Sequence, residues 1–268
     1  TSFTMTRTNY AAAMDTLSKL KEIAAMEFGG SAEDYDISGE SVFNRSNPSR
    51  RMSYARAAQR AIELGGAYSG HTVPDDINPM TARAVAGLVD TGLIGVARDN
   101  MGQTGMVPAL AVGFIEIELD VETGKVEILD YLGVADCGTV LHPQGLSTQI
   151  KGGGVMGFGM AISERHVYDR HWGLPAAVGF YQAKPLSYLD VPSEMDWHAV
   201  DEPDPNNPVG SKGIGEPVMG CSAAALLCAI SDALGGHYFN RTPVMADMII
   251  NVASERSQSH GPLQVNTQ

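Results

Sequence analysis

The strongest constraint on the fold is the alternation of apolar and polar residues in "LAVGFIEIELDVETGKVEILDYLG", residues 110–133. Apolar residues alternate up to Leu119, a turn follows at "ETGK" (122–125), and the apolar positions resume at Val126 and Ile128. Alternation with period two on both sides of a glycine-containing turn is typical of a β-hairpin with one buried face. The pattern therefore predicts a hairpin whose second strand runs into a loop.

Helical spacing predicts two helices before this hairpin. Residues 9–28 carry apolar side chains three and four positions apart, with Asn9 as the cap. Ser53 caps a second amphipathic helix that ends at Gly65. Between the two helices, residues 34–44 predict a short hairpin with "SGES" as its turn.

A glycine-rich helix is predicted after the main hairpin, over residues 145–169. Each glycine inside a helix costs roughly 1 kcal/mol relative to alanine, so these glycines indicate close backbone packing or a ligand against the helix. Residues 67–110 are less regular and rich in Gly, Pro, Asp and Met, and they give no clear prediction, whereas residues 171–209 are interpreted as mostly loop. A buried helix at 218–234 and a short final helix complete an α+β chain.

The composition excludes several classes of protein. The chain of 268 residues has 44% apolar residues and a formal net charge of −13, so it is globular and acidic, and nucleic acid and anionic membrane are poor partners. No apolar run is long enough to span a membrane. Three cysteines without a CxxC pair do not make a disulfide framework or a metal cluster, which favours a reducing, cytoplasmic location.

Three motifs are interpreted as structural rather than functional. The stretch "GGGVMG" (152–157) matches G-x-G-x-x-G, but it lies inside a helical pattern instead of following a strand, which favours helix packing over a nicotinamide site. Cys137 and His142 lack a third group to orient a Cys–His nucleophile, so Cys137 is interpreted as a structural thiol. His166 and His171 have no further ligand at metal-binding spacing.

The stretch "GSKGIGEPVMG" (210–220) is more informative. Pro217 suits the first position of a helix, because its missing N–H costs nothing there. Glu216 is thereby placed at the helix N-terminus, where a carboxylate meets free N–H groups and the positive end of the helix dipole. Glu216 is either a capping carboxylate or a base beside a cofactor. Gly213 and Gly215 remove side chains where a bulky ligand would approach the backbone, and this favours the base.

Taken together, these segments resemble the C-terminal part of the molybdopterin-binding large subunit of the xanthine dehydrogenase/aldehyde oxidase family of molybdenum hydroxylases. "GSKGIGEP" before an alanine-rich helix resembles the family's C-terminal signature, and "DVETGKVEILDYLGVADCGTVLHPQ" resembles its strand–turn–strand and D-x-G-x-x-x-N-P loop, followed by a Gln-bearing glycine-rich helix. "TMTRTNYAAAMDTL" resembles the Ser/Thr loop and helix that contact the pterin. His142 replaces the usual Asn, and Lys151 replaces a frequent Glu.

The resemblance covers nearly the whole chain but only part of the family's cofactor-binding domain. It implies an α+β fold of mixed sheets and packed helices, the C-terminal half of the molybdenum-cofactor-binding domain. Residues 1–110 would form an N-terminal part with the pterin-contacting Ser/Thr loop. Residues 111–268 would form a C-terminal part with the hairpin, the glycine-rich helix and the active-site loop.

The resemblance also implies a site. Glu216 would be the general base that accepts a proton from a hydroxyl on the metal, in a hydroxylation that takes its oxygen from water. The implied cofactor contacts are Gln149, Gly215 through its backbone, Thr4 and Thr6, and no side chain is assigned as a metal ligand. Lys212 either stabilises local charge or is an exposed, solvated lysine, and the second interpretation is favoured.

The implied cofactor is molybdenum-molybdopterin, with the cytosine dinucleotide form as one option. Iron–sulfur and FAD groups are expected in partner subunits, because three cysteines are too few to hold a cluster here. The expected partners are a second molybdopterin-binding chain, an Fe–S subunit, a FAD subunit and a small substrate, either an N-heterocycle or an aldehyde, in a nicotinate-dehydrogenase-like arrangement. The alternative is a non-catalytic assembly subunit, against which the intact Glu216 and Gln149 argue.

Overall fold

The computed structural model describes residues 1–169 and 171–260, which form two compact units. The N-terminal unit comprises Phe3–Thr104 and Asn206–Pro208. The C-terminal unit comprises Thr1–Ser2, Gly105–Pro205 and the described residues from Val209 onward. Each unit has its own hydrophobic core.

The N-terminal unit combines helices with a small antiparallel sheet in the order β1-β2-β3. Its elements are α1 (Ser2–Phe28), β1 (Tyr35–Ser38), β2 (Ser41–Asn44), β3 (Arg51–Ser53), α2 (Tyr54–Leu64) and α3 (Pro79–Ala86). The core forms where apolar faces of α1, α2 and the sheet meet, because each buries one face. Its fully buried members include Ile23, Ala24, Tyr35, Val42, Ala57 and Ala61.

Local sequence signals explain the turn between β1 and β2 and both ends of α2. The hairpin predicted over 34–44 is confirmed, and its turn residues Gly39 and Glu40 both have positive φ, as a tight hairpin turn requires. The predicted cap of α2 is also confirmed, because Ser53 Oγ accepts a hydrogen bond from the Arg56 backbone N–H at 3.2 Å. Gly65, with φ +67°, ends that helix as predicted.

The predicted start of the first helix is wrong. Helix α1 begins at Ser2, so Asn9 lies inside the helix rather than capping it. Local bonding supports the added turns, since the Thr6 hydroxyl donates to the Phe3 carbonyl at 3.0 Å. Buried Arg7 also donates to the Asp99 carboxylate at 2.6 Å, a long-range contact that no local pattern reveals.

The C-terminal unit is built on the sheet β4-β5-β6. Its elements are β4 (Ala111–Asp120), β5 (Lys125–Asp136), α4 (Pro143–Ile162), α5 (Phe180–Ala183), β6 (Asp196–Val200), α6 (Pro217–Ala233) and α7 (Ala246–Ala253). The antiparallel β4–β5 pair confirms the predicted hairpin. Strand β6 pairs with β5 in parallel, inside a segment interpreted from sequence as loop. Helix α4 ends at Ile162 rather than near residue 169.

The glycines of α4 are explained by close packing. Helix α4 packs against α6 and against the sheet. A Cβ added at Gly153 would lie 3.2 Å from Val218 Cβ, and one at Gly154 would lie 2.8 Å from Tyr131 Cε1. The described helices include none long and apolar enough to cross a membrane.

Gly157→Ala is expected to destabilise the C-terminal unit by about 1–3 kcal/mol, as overpacking of a dense interface does. A Cβ at Gly157 would lie 2.5 Å from Met219 O and 2.8 Å from Ala223 N, both backbone atoms that cannot move without shifting α6. Gly152→Ala on the same helix is the control, because its Cβ would meet nothing within 4 Å. Urea denaturation should show destabilisation only for Gly157→Ala, and equal stability of the two variants would contradict the packing account.

Candidate cofactor site

Glu216 stands immediately before α6. Pro217 is the first residue of that helix, as predicted, and Glu216 occupies the N-cap position. The Glu216 side chain is exposed and makes no capping hydrogen bond. Its carboxyl group therefore lies beside the positive end of the helix dipole without being used as a cap.

Gln149 reaches the same segment from α4. Its Nε2 donates a hydrogen bond to the Gly215 carbonyl oxygen at 2.8 Å. Close packing of α4 on α6 brings the two residues together although they are 66 positions apart in sequence. The structure thus brings Gln149 and Gly215 together, with Glu216 next in the chain.

A cavity of about 350 Å³ lies beside these residues in the C-terminal unit. This volume is in the range of small-molecule sites. The loop after β5, the start of α4, the loop before α6 and residues 1–2 line it, and Glu216 is not among the lining residues. The polar side chains in its wall include Thr139, His142, Gln149, Ser211 and Lys212.

His142, which stands where the family pattern has asparagine, caps α4. Its Nδ1 accepts a hydrogen bond from the Gly145 backbone N–H at 2.7 Å. In the neutral ring this bond leaves the proton on Nε2. His142 therefore lines the cavity while holding the helix N-terminus.

The two glycines that flank Ile214 are not required by the protein itself. Neither Gly213 nor Gly215 has positive φ. A Cβ at Gly215 would meet nothing within 4 Å, and one at Gly213 would make only an ordinary contact of 3.6 Å with Thr1 N. The space beside Gly215 is open and that beside Gly213 would admit a Cβ, so a group from outside the chain could approach the backbone at Gly215.

Lys212 differs from its sequence-based interpretation as an exposed, solvated lysine. Its side chain is only 13% exposed, and its Nζ lies 2.5 Å from Asp136 Oδ2. Asp136, at the end of β5, was not predicted as a site residue. It ends the strand that leads into the D-x-G loop, and that position is the only local signal that could have identified it.

Thr4 and Thr6 belong to the N-terminal unit and lie in the first turns of α1, not in a loop. The Thr6 hydroxyl accepts a hydrogen bond from Asn207 Nδ2 at 2.6 Å while donating to Phe3 O. Thr4 is exposed and lines a separate cavity of about 700 Å³ within that unit. Their role as cofactor contacts stays a prediction.

The cysteines do not form a reactive or metal-binding group. Cys137 is buried, and burial raises the pKa of its thiol, which keeps it protonated at neutral pH. Its Sγ lies 3.4 Å from the Gly138 carbonyl oxygen. In the described part of the chain, no three His, Cys, Asp or Glu side chains are grouped so that they could hold a metal ion.

The model of the molybdopterin cofactor-binding domain family matches residues 1–192. This chain belongs to the molybdopterin cofactor-binding domain family. The family assignment made from the sequence motifs is thereby confirmed. The match ends before Gly215 and Glu216, so it carries no information on these two residues.

Relatives of this molybdopterin-binding chain are subunits of larger enzymes. It is 32% identical over 176 residues to the gamma subunit of the 6-hydroxypseudooxynicotine dehydrogenase complex of Paenarthrobacter nicotinovorans, covering 65% of this chain and 21% of that subunit. It is 29% identical over 148 residues to the nicotine 6-hydroxylase large subunit of the same organism, covering 54% of this chain and 18% of that subunit. The chain therefore spans about a fifth of the length of these curated relatives.

Solved structures confirm the α+β fold class of this molybdopterin-binding domain. Quinoline 2-oxidoreductase from Pseudomonas putida 86 matches with a TM-score of 0.65 and 24% identity, over 91% of this chain and 29% of that chain. The Cu,Mo-CO dehydrogenase matches with a TM-score of 0.64 and 21% identity, over 91% of this chain and 28% of that chain. At these identities the likeness concerns the fold alone.

Proposed function

We propose that this chain is part of the molybdopterin-binding subunit of a molybdenum hydroxylase, which hydroxylates a carbon of its substrate with oxygen from water. The observation that carries the proposal is the open space beside Gly215, next to an exposed carboxylate and a cavity with polar side chains in its wall. Packing and backbone conformation leave this glycine unexplained within the chain. A bound cofactor explains it.

The residues present fit the molybdenum cofactor. Gln149 would hold it through its side-chain amide, and Gly215 through its backbone, while His142 and Thr139 add polar groups to the wall. Thr4 and Thr6 are proposed as further contacts. When bound, the cofactor supplies the redox chemistry of the hydroxylation. We also propose that the cofactor is bound in its cytosine dinucleotide form.

Glu216 is proposed as the general base. A base must have a free acceptor oxygen within reach of the proton it takes. The exposed carboxylate of Glu216 makes no capping hydrogen bond, so its Oε atoms are available as acceptors. The helix N-terminus beside it offsets the negative charge that it must carry before the proton arrives.

The substrate is proposed to be an N-heteroaromatic compound. The names of the nicotine 6-hydroxylase and of a xanthine dehydrogenase subunit support this class, and an aldehyde is the second option on the basis of an aldehyde oxidoreductase relative. A second molybdopterin-binding chain and Fe–S and FAD subunits are proposed as partners. Relatives named as complex subunits support such an assembly.

The test is purification of the native complex that contains this chain, followed by molybdenum and pterin analysis. We expect about one molybdenum per chain, and transfer of ¹⁸O from labelled water to quinoline, nicotinate or xanthine, with benzaldehyde as the comparison substrate. Hydrolytic release of cytidine monophosphate would identify the dinucleotide form. A complete complex without molybdenum would instead identify a non-catalytic assembly subunit.

A further inference from the structure

The loop that carries Gly215 and Glu216 is joined by backbone hydrogen bonds to the residues that follow β5. The Lys212 N–H donates to the Cys137 carbonyl, and the Thr139 N–H donates to the Gly210 carbonyl, both at 2.8 Å. Gly138 and Ser211 form an antiparallel bridge between these two bonds. Residues 137–139 and 210–212 therefore form a short ladder.

Glycine is required on both sides of this ladder. Gly138 has φ +64°, and a Cβ there would collide with the Gly210 carbonyl oxygen. Gly210 has φ +73°, and a Cβ there would lie 2.5 Å from Thr139 Oγ1. The sequence thus requires glycine where the two segments approach closely, whereas neither packing nor φ requires glycine at 213 or 215.

An ion pair closes the same ladder. Lys212 Nζ and Asp136 Oδ2 are 2.5 Å apart, and the two side chains are 13% and 18% exposed. Removing one member of such a pair leaves a poorly solvated charge without its partner, which is far more disruptive than the loss of an exposed pair. The pair therefore holds the ladder closed four residues before Glu216.

We propose that Asp136 and Lys212 are positioning residues for Glu216. The inference rests on the proposed function, because it assigns these residues to the reaction through Glu216. Since the Glu216 carboxylate makes no capping hydrogen bond, the point from which this side chain extends is set by its backbone alone. That backbone is held by the ladder and ion pair at residue 212 and by Gln149 at residue 215.

The test compares Lys212→Met and Asp136→Asn in the assembled complex with Lys125→Met. Lys125 forms an ion pair with Glu127 at 3.0 Å, but its side chain is 70% exposed, so this control removes the same charge from a solvated pair. We expect amide hydrogen exchange of residues 210–219 to rise about tenfold or more in the two variants, with exchange in residues 35–44 unchanged. Lys125→Met should leave amide exchange unchanged in both residues 210–219 and residues 35–44.

The kinetic readout separates positioning from stability. We expect kcat per molybdenum to fall about tenfold or more with KM changed less than about threefold, because the misplaced group is a base rather than a binding contact. Lys212→Arg keeps the charge, so its amide exchange in residues 210–219 and its kcat per molybdenum should lie between those of Lys212→Met and the wild type. If Lys212→Met does not fold, Lys212→Arg and the double variant Asp136→Asn/Lys212→Met are compared instead, since the double variant leaves no unpaired charge.

Two results would overturn the proposal. Unchanged exchange in 210–219 in folded variants shows that the ion pair does not hold the loop. Raised exchange with normal kcat shows that the loop does not position a catalytic group. The exchange result does not depend on whether Glu216 is the base. Failure of the proposed function would appear as normal turnover in Glu216→Gln. Failure of this inference would appear in the Lys212 and Asp136 variants, so the two failures are distinguished.

Discussion

Glu216→Gln is expected to lower turnover per molybdenum by about 10²–10⁴-fold in the assembled complex, the usual effect of losing a general base. Glutamine keeps the size of the side chain and removes the proton acceptor. Loss of a helix cap typically costs about 1 kcal/mol. Glu216 makes no capping hydrogen bond, so the melting temperature should stay close to that of the wild type.

The matched control for this variant is Glu118→Gln. Glu118 is an exposed carboxylate on β4 of the same unit, and its substitution makes the same change in net charge. Turnover, melting temperature and molybdenum content are measured together. Turnover of Glu216→Gln within about threefold of wild type, at equal molybdenum content, would show that Glu216 is not the base.

The elements that could be predicted from sequence are those fixed by neighbouring residues. The β4–β5 hairpin follows from alternation on both sides of a turn, and Ser53 and Gly65 bound α2 through capping and positive φ. Pro217 marks the start of α6 for the same local reason. In each case the stabilising contact lies within a few residues of the signal, so the sequence pattern is sufficient.

The elements that were missed depend on distant partners. Strand β6 is five residues long and is stabilised by parallel pairing with β5, more than sixty positions earlier in the chain. The first turns of α1 gain support from the ion pair of Arg7 with Asp99. Neither partner can be read from the local pattern, and a short strand among prolines resembles a loop.

The sequence identifies several residues of the candidate site, but it does not reveal their hydrogen bonds and ion pairs. Glu216 was located at a helix N-terminus from Pro217 alone, but its lack of a capping bond depends on side-chain geometry. Lys212 was interpreted as solvated because a lone lysine usually is, and its partner Asp136 is 76 positions away. The cavity forms where residues 137–149 meet residues 211–215, which lie far along the chain.

Gln149→Ala is expected to weaken cofactor retention by about 1–3 kcal/mol, or roughly 5–150-fold in affinity, the range for hydrogen bonds in a site that a bound ligand buries. The structure adds a second reason. Gln149 Nε2 donates to the Gly215 carbonyl, so its removal also loosens the backbone that would contact the cofactor. Molybdenum per chain after extensive dialysis of the complex measures the loss.

Gln144→Ala is the matched control, because Gln144 is exposed on the first turn of α4 and does not line the cavity. Gln149→Glu keeps the length of the side chain but cannot donate to a carbonyl oxygen when ionised, so it should lose at least as much molybdenum as Gln149→Ala. If both Gln149 variants retain molybdenum as Gln144→Ala does, the role of Gln149 is confined to its bond with Gly215. In that case the cofactor must be held by other groups of the cavity wall, and His142 and Thr139 become the next residues to substitute.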